Sequence, residues 1–346
     1  MKSFFFPTSS KGYPRLALIG CGAIAENYYL PALSTHPSIL SKLILVDRDR
    51  KRAHDLTKKY KAGEYSDDYH EILNRIDGAI VAVPTHLHYE IAKDFILSGV
   101  PVLCEKPLAD TGINARNLVQ LASQKNVTLA VNYFQRLIPA FIKVKEFIKQ
   151  KSLGEPLSIK YFVREEFNWP TVSGFYFNAP LSSRGILRDR GTHAIDHICW
   201  WLESKPRLLL SLNDAFGGSE AVAHIIFEAG KCRGELKLGW LASSQCIYKI
   251  VCEDGIIEGK VYDYQNLFIQ SKWGRKHKIH LKSQEKTKIA ISRKILNNFI
   301  EVVNNHAKPL ISGSDVLDSI DFIDECYKTA ERFSMPWYEG LRSNDG

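Results

Sequence analysis

The stretch RLALIGCGAIAENYYLPALSTHPSILSKLILVD, residues 15–47, contains an apolar run, a glycine-rich turn, a helical segment and a second apolar run in direct succession. The runs RLALIG (15–20) and KLILVD (42–47) are apolar on both faces, as strands inside a parallel sheet are. This order predicts a strand-helix-strand unit, from which parallel sheets are built.

The same alternation continues to about residue 133. Further apolar runs are GAIVAV (78–83), PVLCE (101–105) and VTLAV (127–131), and helical patterns cover 50–60, 87–98 and 112–124. The pattern predicts an α/β fold class, with a doubly wound parallel sheet in a first domain of residues 1–134.

After residue 135 the pattern changes. A helix is expected at 138–151, and later runs such as AVAHIIFEA and QCIYKIVCE alternate apolar and polar residues and are joined by short turns. Two helices, at about 286–305 and 314–333, end the chain. Residues 135–346 are therefore predicted to form an α+β domain with a large, mainly antiparallel sheet.

Composition excludes several protein classes. The 346 residues carry a formal charge of +8, but the basic residues are dispersed, so no nucleic-acid partner is expected. The seven cysteines contain no C-x-x-C pair, which fits a reducing, cytoplasmic location. Neither a signal peptide nor a membrane span of about 20 apolar residues is recognisable, so no membrane partner is expected.

The turn Gly20-Cys21-Gly22-Ala23-Ile24-Ala25 has the G-x-G-x-x-A spacing of a dinucleotide-binding turn. Gly20 would allow the tight turn, Gly22 would let the main chain approach a pyrophosphate, and Ala25 would let the helix pack close to the strand. Amide groups at the helix start then face the anion.

A second strand ends at Asp47, 22 residues after Ala25, where a carboxylate can accept hydrogen bonds from a ribose. Arg48 beside it could instead accommodate the extra phosphate of NADP. The cofactor is therefore expected to be NAD or NADP, with NAD favoured. The cofactor-binding residues predicted from this region are Gly20, Gly22, Ala23, Ile24, Asp47 and Arg48.

Further motifs follow in a fixed order: VPTHLHYEIA (83–92), EKP (105–107), VNYFQRLIP (131–139), DRGTHAID (189–196) and VCEDGIIEG (251–259). With GCGAIA (20–25), they resemble the glucose:fructose oxidoreductase and inositol dehydrogenase family over most of the chain. The resemblance implies a Rossmann domain and NAD(P)-dependent chemistry on sugars or cyclitols.

The resemblance also implies site residues. The family's catalytic lysine corresponds to Lys106, and its D-x-x-x-H pair to Asp189 and His193. The family's T-P-N turn reads Val83-Pro84-Thr85 here and departs from the pattern at two positions. Other residues expected at the cofactor are Pro84, Thr85, His88 and Glu105, and those expected at the substrate are Arg136, Trp169 and Asp196.

These residues suit the transfer of a hydride and a proton. His193 could exchange the proton, since imidazole titrates near neutral pH, and the Lys106 ammonium could stabilise the charge on the substrate oxygen. On a regular helix Asp189 lies four residues before His193 and could orient it, while Asp196 could reach the imidazole or a substrate hydroxyl. Arg184 and Arg188 could pair with a phosphate, which would indicate a nucleotide sugar.

Alternatives remain open from the sequence. Asp189 could be an ordinary helix cap with His193 in the core. Asp189, His193 and His197 could also bind a metal, but Ala194 replaces the glutamate of the usual zinc motif, so no metal is expected. A silent NAD(P)-sensing regulator and a reductase of a non-sugar ring are the alternative functions. The favoured prediction is an NAD(P)-dependent oxidoreductase of a sugar-like substrate that forms a homo-oligomer, a dimer or tetramer.

Overall fold

The computed structural model describes residues 13–170, 185–215 and 218–334, and the chain divides into two units. The first unit contains the described part of Met1–Phe134 together with Thr287–Val316. The second contains the described parts of Gln135–Lys286 and Leu317–Gly346. Among these residues, no helix has both the length and the apolar character needed to cross a membrane.

The first unit is built on a six-stranded parallel sheet. Its strands are β1 (Leu16–Ile19), β2 (Ile44–Val46), β3 (Glu64–Ser66), β4 (Gly78–Val81), β5 (Val102–Glu105) and β6 (Leu129–Asn132). They lie in the order β3-β2-β1-β4-β5-β6. All residues of the strands other than β3 are buried. The order reverses between β1 and β4, and ligands of such sheets bind at this reversal.

Helices connect these strands. They are α1 (Leu30–Leu33), α2 (Pro37–Leu40), α3 (Arg50–Tyr60), α4 (His88–Leu97) and α5 (Gly112–Lys125), and a π-helical turn, Ala25–Tyr29, leads into α1. The Asp49 carboxylate caps α3 by accepting the Arg52 N–H at 3.1 Å. The Thr111 hydroxyl caps α5 by accepting the Asn114 N–H at 3.2 Å. Such caps fix where a helix begins.

The second unit is built on a nine-stranded mixed sheet. Its strands are β7 (Pro156–Arg164), β8 (Arg207–Asn213), β9 (Val222–Ala229), β10 (Cys232–Gly239), β11 (Cys246–Cys252), β12 (Gly255–Lys260), β13 (Asn266–Ser271), β14 (Lys276–His280) and β15 (Glu331–Arg332). The order is β14-β13-β12-β11-β7-β10-β9-β8-β15. Neighbours are antiparallel except for β7 with β10 and β8 with β15. The predicted fold class, a parallel sheet followed by a mainly antiparallel one, is confirmed.

The later helices are α6 (Pro139–Lys149), α7 (Thr192–Leu202), α8 (Lys288–Val303) and α9 (Leu317–Lys328). Helices α6, α7 and α9 belong to the second unit. Trp201 of α7 is fully buried, and its indole N–H donates to the Phe141 carbonyl oxygen of α6 at 3.1 Å. Phe322 of α9 packs edge-on against Phe227 of β9.

Helix α8 belongs to the first unit, although it follows strands β7 to β14 of the second sheet in the sequence. A Cβ on Gly78 of β4 would lie 2.6 Å from Val303 and 3.3 Å from Phe299, so α8 packs closely on this strand. The first unit runs to Phe134 and takes in Thr287–Val316 as well, whereas the sequence predicted domains of residues 1–134 and 135–346. A helix pattern reveals an apolar face without showing which sheet that face covers.

Candidate active site

The glycine turn follows β1 and has two different glycines. Gly20 has a φ of +99°, and a Cβ there would lie 2.4 Å from the Ala82 carbonyl oxygen. Only glycine tolerates both conditions. At Gly22, by contrast, a Cβ would meet nothing within 4 Å. The turn is therefore closely packed at its first glycine and open at its second, where a ligand can approach the main chain.

Asp47 is fixed beside this turn. Its Oδ2 accepts the Cys21 N–H and its Oδ1 accepts the Asp49 N–H, each at 2.8 Å. A carboxylate has about four acceptor positions, so these bonds orient Asp47 without using all its capacity. An open glycine turn next to a fixed acid fits the pyrophosphate and ribose of a dinucleotide. Ala23 and Ile24 lie half-buried in the same turn, and Arg48 is exposed.

The segment after β4 contains Pro84 and Thr85, both half-buried at the start of a 3₁₀ turn, Thr85–Leu87. His88 follows, but it is only 1% exposed. Its Nδ1 lies 2.8 Å from the Pro107 carbonyl oxygen and its Nε2 lies 2.9 Å from that of Val83. Both ring nitrogens are thus engaged by the main chain. In the structure the ring joins the segments that follow β4 and β5, and the expected contact of His88 with the cofactor stays a prediction.

Glu105 and Lys106 lie at the end of β5. The Glu105 carboxylate is 7% exposed and accepts hydrogen bonds from the Tyr29 hydroxyl at 2.8 Å and the Asn132 amide at 2.6 Å. Its other oxygen accepts the Lys106 main-chain N–H at 3.2 Å. Burial raises the pKa of Glu105, while the hydrogen bonds and the Lys106 charge act to lower it. Lys106 itself is half-buried.

In the second unit, Asp189 lies in a π-helical turn, Leu187–Gly191, and His193 in the first turn of α7. His193 is 5% exposed, and Asp189 is half-buried with its carboxylate 3.7 Å from the Arg190 side chain. The predicted i to i+4 spacing assumed a regular α-helix. A π-helical turn joins residues five apart, so regular α-helical stacking does not describe this pair, and their interaction stays a prediction.

The start of this helical segment is held by Glu220 and Tyr327. The main-chain N–H groups of residues 185, 186 and 187 each donate to an oxygen of Glu220 at 3.0 Å. The N–H of residue 188 donates to the Tyr327 hydroxyl at 3.1 Å. Tyr327 donates to the Glu220 carboxylate at 2.6 Å. Helix N-termini otherwise leave such groups without partners. The Glu220–Tyr327 pair therefore fixes the origin of the segment that contains Asp189.

Asp196 and Arg136 bind each other. The Arg136 Nε donates to Oδ2 of Asp196 at 2.8 Å and its Nη2 donates to Oδ1 at 2.6 Å. Asp196 is 0% and Arg136 is 8% exposed. The pair engages both carboxylate oxygens and two nitrogens of the guanidinium, and the expected contact of these residues with a substrate stays a prediction. Within the second unit the pair joins α7 to the segment before α6.

Arg188 and His197 also have internal roles. Arg188 is 6% exposed, donates to Asp324 at 2.9 Å and stacks over Tyr327, so its side chain is held inside the second unit. His197 is fully buried, and its Nδ1 lies 2.9 Å from the Tyr161 hydroxyl. Burial, together with the Arg136 charge, lowers the pKa of His197 well below its usual range.

The aromatic segment FNWPTVSGFYF, residues 167–177, contains the predicted substrate residue Trp169 and is described only in part. Trp169 is half-buried, and Phe167 packs edge-on against Trp240. Residues 171–177 and Arg184 lie outside the described residues. No group of three or more His, Cys, Asp or Glu side chains suited to a metal ion occurs within 13–170, 185–215 and 218–334.

Tyr29, Asn132, Glu220 and Tyr327 were not expected at the site. Tyr29 belongs to the apolar helical pattern after the glycine turn, and Asn132 ends a predicted strand, so each has an ordinary structural explanation in the sequence. Glu220 and Tyr327 lie in different segments, and their pairing is a long-range contact without a local pattern.

Comparison with known proteins agrees with this geometry. The family described as "Oxidoreductase family, NAD-binding Rossmann fold" matches residues 14–133, and "GFO/IDH/MocA C-terminal domain" matches residues 141–258. The rhizopine catabolism protein MocA of Rhizobium meliloti is 25% identical over 56% of this chain and 58% of its own. Levoglucosan dehydrogenase of Pseudarthrobacter phenanthrenivorans is 26% identical over 46% of this chain and 42% of its own. The matches thus span about half the length of these relatives.

Solved structures show the same fold. A 3-ketoreductase from Actinomadura kijaniata superimposes with a TM-score of 0.79 at 21% identity, covering 93% of this chain and 99% of its own. An aldose-aldose oxidoreductase from Caulobacter crescentus gives a TM-score of 0.78 at 17% identity, covering 90% and 96%. With both family domains matched in order along its sequence, the chain belongs to the GFO/IDH/MocA family of NAD(P)-binding oxidoreductases.

Proposed function

We propose that this protein is an NAD(P)-dependent dehydrogenase or reductase that acts on a secondary hydroxyl or ketone of a sugar-like substrate. The observation that carries the proposal is the glycine turn after β1, open at Gly22 and flanked by the fixed Asp47 carboxylate. Gly20, Gly22, Ala23 and Ile24 would hold the pyrophosphate, and Asp47 the ribose. Pro84, Thr85, Glu105 and Lys106 belong to the segments after β4 and β5 that would contact the nicotinamide end.

When bound, the nicotinamide accepts or donates the hydride. The chain itself must supply the proton partner and the positive charge. We assign Lys106 to the stabilisation of charge on the substrate oxygen and His193 to the transfer of the proton. Asp189 is assigned to orient His193 and to favour its protonated form, and Trp169 to contact the substrate.

Asp47 supports NAD over NADP. Its carboxylate would repel the extra phosphate of NADP near the ribose. The neighbouring arginines also have acidic partners, since Arg50 lies 2.8 Å from Asp67 and Arg52 lies 3.4 Å from Asp49. We therefore propose that NAD is the preferred cofactor. Arg48, the exposed residue that directly follows Asp47, is proposed as a further cofactor contact.

The relatives suggest the substrate class. They include levoglucosan dehydrogenase and a 1,5-anhydro-D-fructose reductase from Ensifer adhaerens. The structurally similar 3-ketoreductase was crystallised with NADP and TDP-benzene. Because Arg188 is engaged by Asp324, it gives no support to a nucleotide sugar, and we propose a free or anhydro sugar. The expected homo-oligomer remains a prediction that light scattering can test.

The test has two stages. The protein is titrated with NADH and NADPH by fluorescence, and turnover is then measured on free sugars, anhydro sugars, inositols and nucleotide sugars. We expect tighter binding of NADH and turnover of a free or anhydro sugar. Failure to bind either nucleotide would overturn the proposal.

The residue roles are tested separately. His193→Ala should lower kcat by about 10²–10⁴-fold while the NADH affinity stays near that of the unmodified protein. His306→Ala, at an exposed position of the first unit, is the matched control. Unchanged turnover in His193→Ala would remove His193 from the mechanism.

A further inference from the structure

Three polar side chains next to Lys106 form a buried cluster. They are Tyr29, Glu105 and Asn132, and we call them the Glu105 cluster. Tyr29 is 1%, Asn132 is 6% and Glu105 is 7% exposed. Besides its bond to Glu105, the Asn132 amide donates to the Tyr29 hydroxyl at 2.8 Å. The phenol thus accepts from Asn132 and donates to Glu105, so each of the three side chains is bonded to the other two.

The cluster joins three separate parts of the first unit. Tyr29 ends the π-helical turn that follows the glycine turn, Glu105 ends β5 and Asn132 ends β6. Both donors point at the same oxygen of Glu105, and the other oxygen accepts the Lys106 main-chain N–H. The Glu105 carboxylate therefore links the Lys106 main chain to the π-helical turn that ends at Tyr29 and to the strand β6 that ends at Asn132.

The cluster also influences whether the Glu105 carboxyl is ionised. Burial raises the pKa of Glu105, and the bonds from Tyr29 and Asn132 act against this by favouring the ionised form. Burial and the neighbouring Glu105 raise the pKa of Tyr29 well above its usual range, so the phenol remains a donor. The Lys106 charge also acts on Glu105 and favours its ionised form. The buried Cys104 thiol directly precedes Glu105 in the chain.

We infer that Tyr29 and Asn132 are positioning residues for Lys106: they hold Glu105 as an anion next to it and so fix both its main chain and its electrostatic environment. The inference rests on the proposed function, in which Lys106 acts on the substrate oxygen. A packing role alone would not need three buried polar groups, because well-packed apolar side chains of similar volume are often at least as stable.

The first test is the pH profile of kcat/KM. Tyr29→Phe removes one donor with little change of shape, and Asn132→Ala removes the other. Each should move the acid limb of the profile to higher pH by about one unit and lower kcat more than it raises KM, because Glu105 protonates more readily and its charge beside Lys106 is lost. Tyr69→Phe is the matched control, since Tyr69 donates to Asp94 at 2.8 Å elsewhere in the first unit.

An acid limb that stays in place in both Tyr29→Phe and Asn132→Ala would overturn the inference. A fall in activity with an unchanged profile would count the same way, because it would indicate a packing role. If Asn132→Ala does not fold, the isosteric Tyr29→Phe still decides the result.

A second measurement does not depend on activity. The free energy of unfolding of the unmodified protein and of Tyr29→Phe is compared across pH by denaturant titration followed by circular dichroism. Because the folded pKa of Glu105 is raised, stability falls as pH rises from the unfolded value of about 4.3 through the folded value. Without the Tyr29 bond the folded pKa rises further, so the loss caused by Tyr29→Phe should grow with pH over this window.

The two measurements separate the two possible failures. If the unmodified protein turns over no compound of the panel, the proposed function fails, and the unfolding measurement still tests the cluster. If turnover is found but the destabilisation by Tyr29→Phe is the same at every pH, the positioning inference fails while the proposed function stands.

Discussion

The buried pair Arg136–Asp196 can be tested in depth with the substitution Asp196→Asn. The change keeps the shape and one acceptor but removes the charge, and Arg136, which is 8% exposed, is left without its counter-ion. Breaking a buried pair from one side costs about 3–5 kcal/mol. With a urea m-value of roughly 2 kcal/mol/M, the midpoint of unfolding should fall by roughly 1.5–2.5 M.

Tryptophan fluorescence is a suitable assay because all six tryptophans lie in the part of the sequence assigned to the second unit. The signal therefore reports on the unit that contains the pair. The double substitution Arg136→Met with Asp196→Leu should recover most of the loss, since a well-packed apolar pair replaces a buried ion pair without leaving a charge.

A contrary result would support the predicted substrate role of Asp196. If Asp196→Asn lowered the unfolding free energy by less than about 1 kcal/mol but raised KM for the sugar, Asp196 would be a substrate contact in solution. If the double substitution were as unstable as the single one, the uncompensated charge on Arg136 would not be the cause.

Three further predictions follow from separate features. Gly22→Ala should change the unfolding free energy by no more than about 0.5 kcal/mol yet weaken NADH binding at least about tenfold by fluorescence titration. Gly20→Ala should instead destabilise the fold by more than about 1 kcal/mol. Equal effects of the two substitutions on stability would contradict the distinction between a packed first glycine and an open second one. Glu220→Gln should lower the free energy of unfolding by about 1.5–3 kcal/mol, followed by tryptophan fluorescence. The half-buried control Glu228→Gln should lower it by less than about 1 kcal/mol, so a similar loss in both would argue against a helix-start role. His197 has a lowered pKa in the folded state, so its contribution to stability is present above about pH 6.5 and is lost as pH falls. His197→Gln should therefore flatten the fall of the unfolding free energy on the acid side. An unchanged slope would show that His197 is not the group responsible.

The sequence predicted the first sheet well because buried parallel strands and connecting helices have strong local patterns. The helix expected at 50–60 is Arg50–Tyr60 in the structure, and the apolar run at 78–83 contains β4. The second sheet was recognised by alternation, but β13 and β14 were not. Four of the five residues of β14, Lys276–His280, are basic, and an exposed edge strand lacks the apolar face that marks a strand.

The site was predicted less completely because side-chain pairing is non-local. Helical spacing suggested that Asp196 could reach a substrate or His193, while its actual partner, Arg136, lies 60 residues earlier. His88 was assigned to the cofactor from its place in a motif, but its environment is set by Val83 and Pro107. Spacing along a helix shows which side chains share a face, and only the packed fold shows what that face meets.

The return of α8 to the first unit has a consequence for synthesis on the ribosome. The parallel sheet is complete in sequence at Asn132, yet α8, which packs on Gly78, is made only after eight of the nine strands of the second sheet. A nascent chain therefore carries all six strands of this sheet without the helix that packs on β4 while more than 150 further residues emerge. Domains normally fold in order from the N-terminus during translation. Here the first unit can be completed only after residues 135–286 of the second unit have been made, and the second unit is completed in turn by Leu317–Gly346.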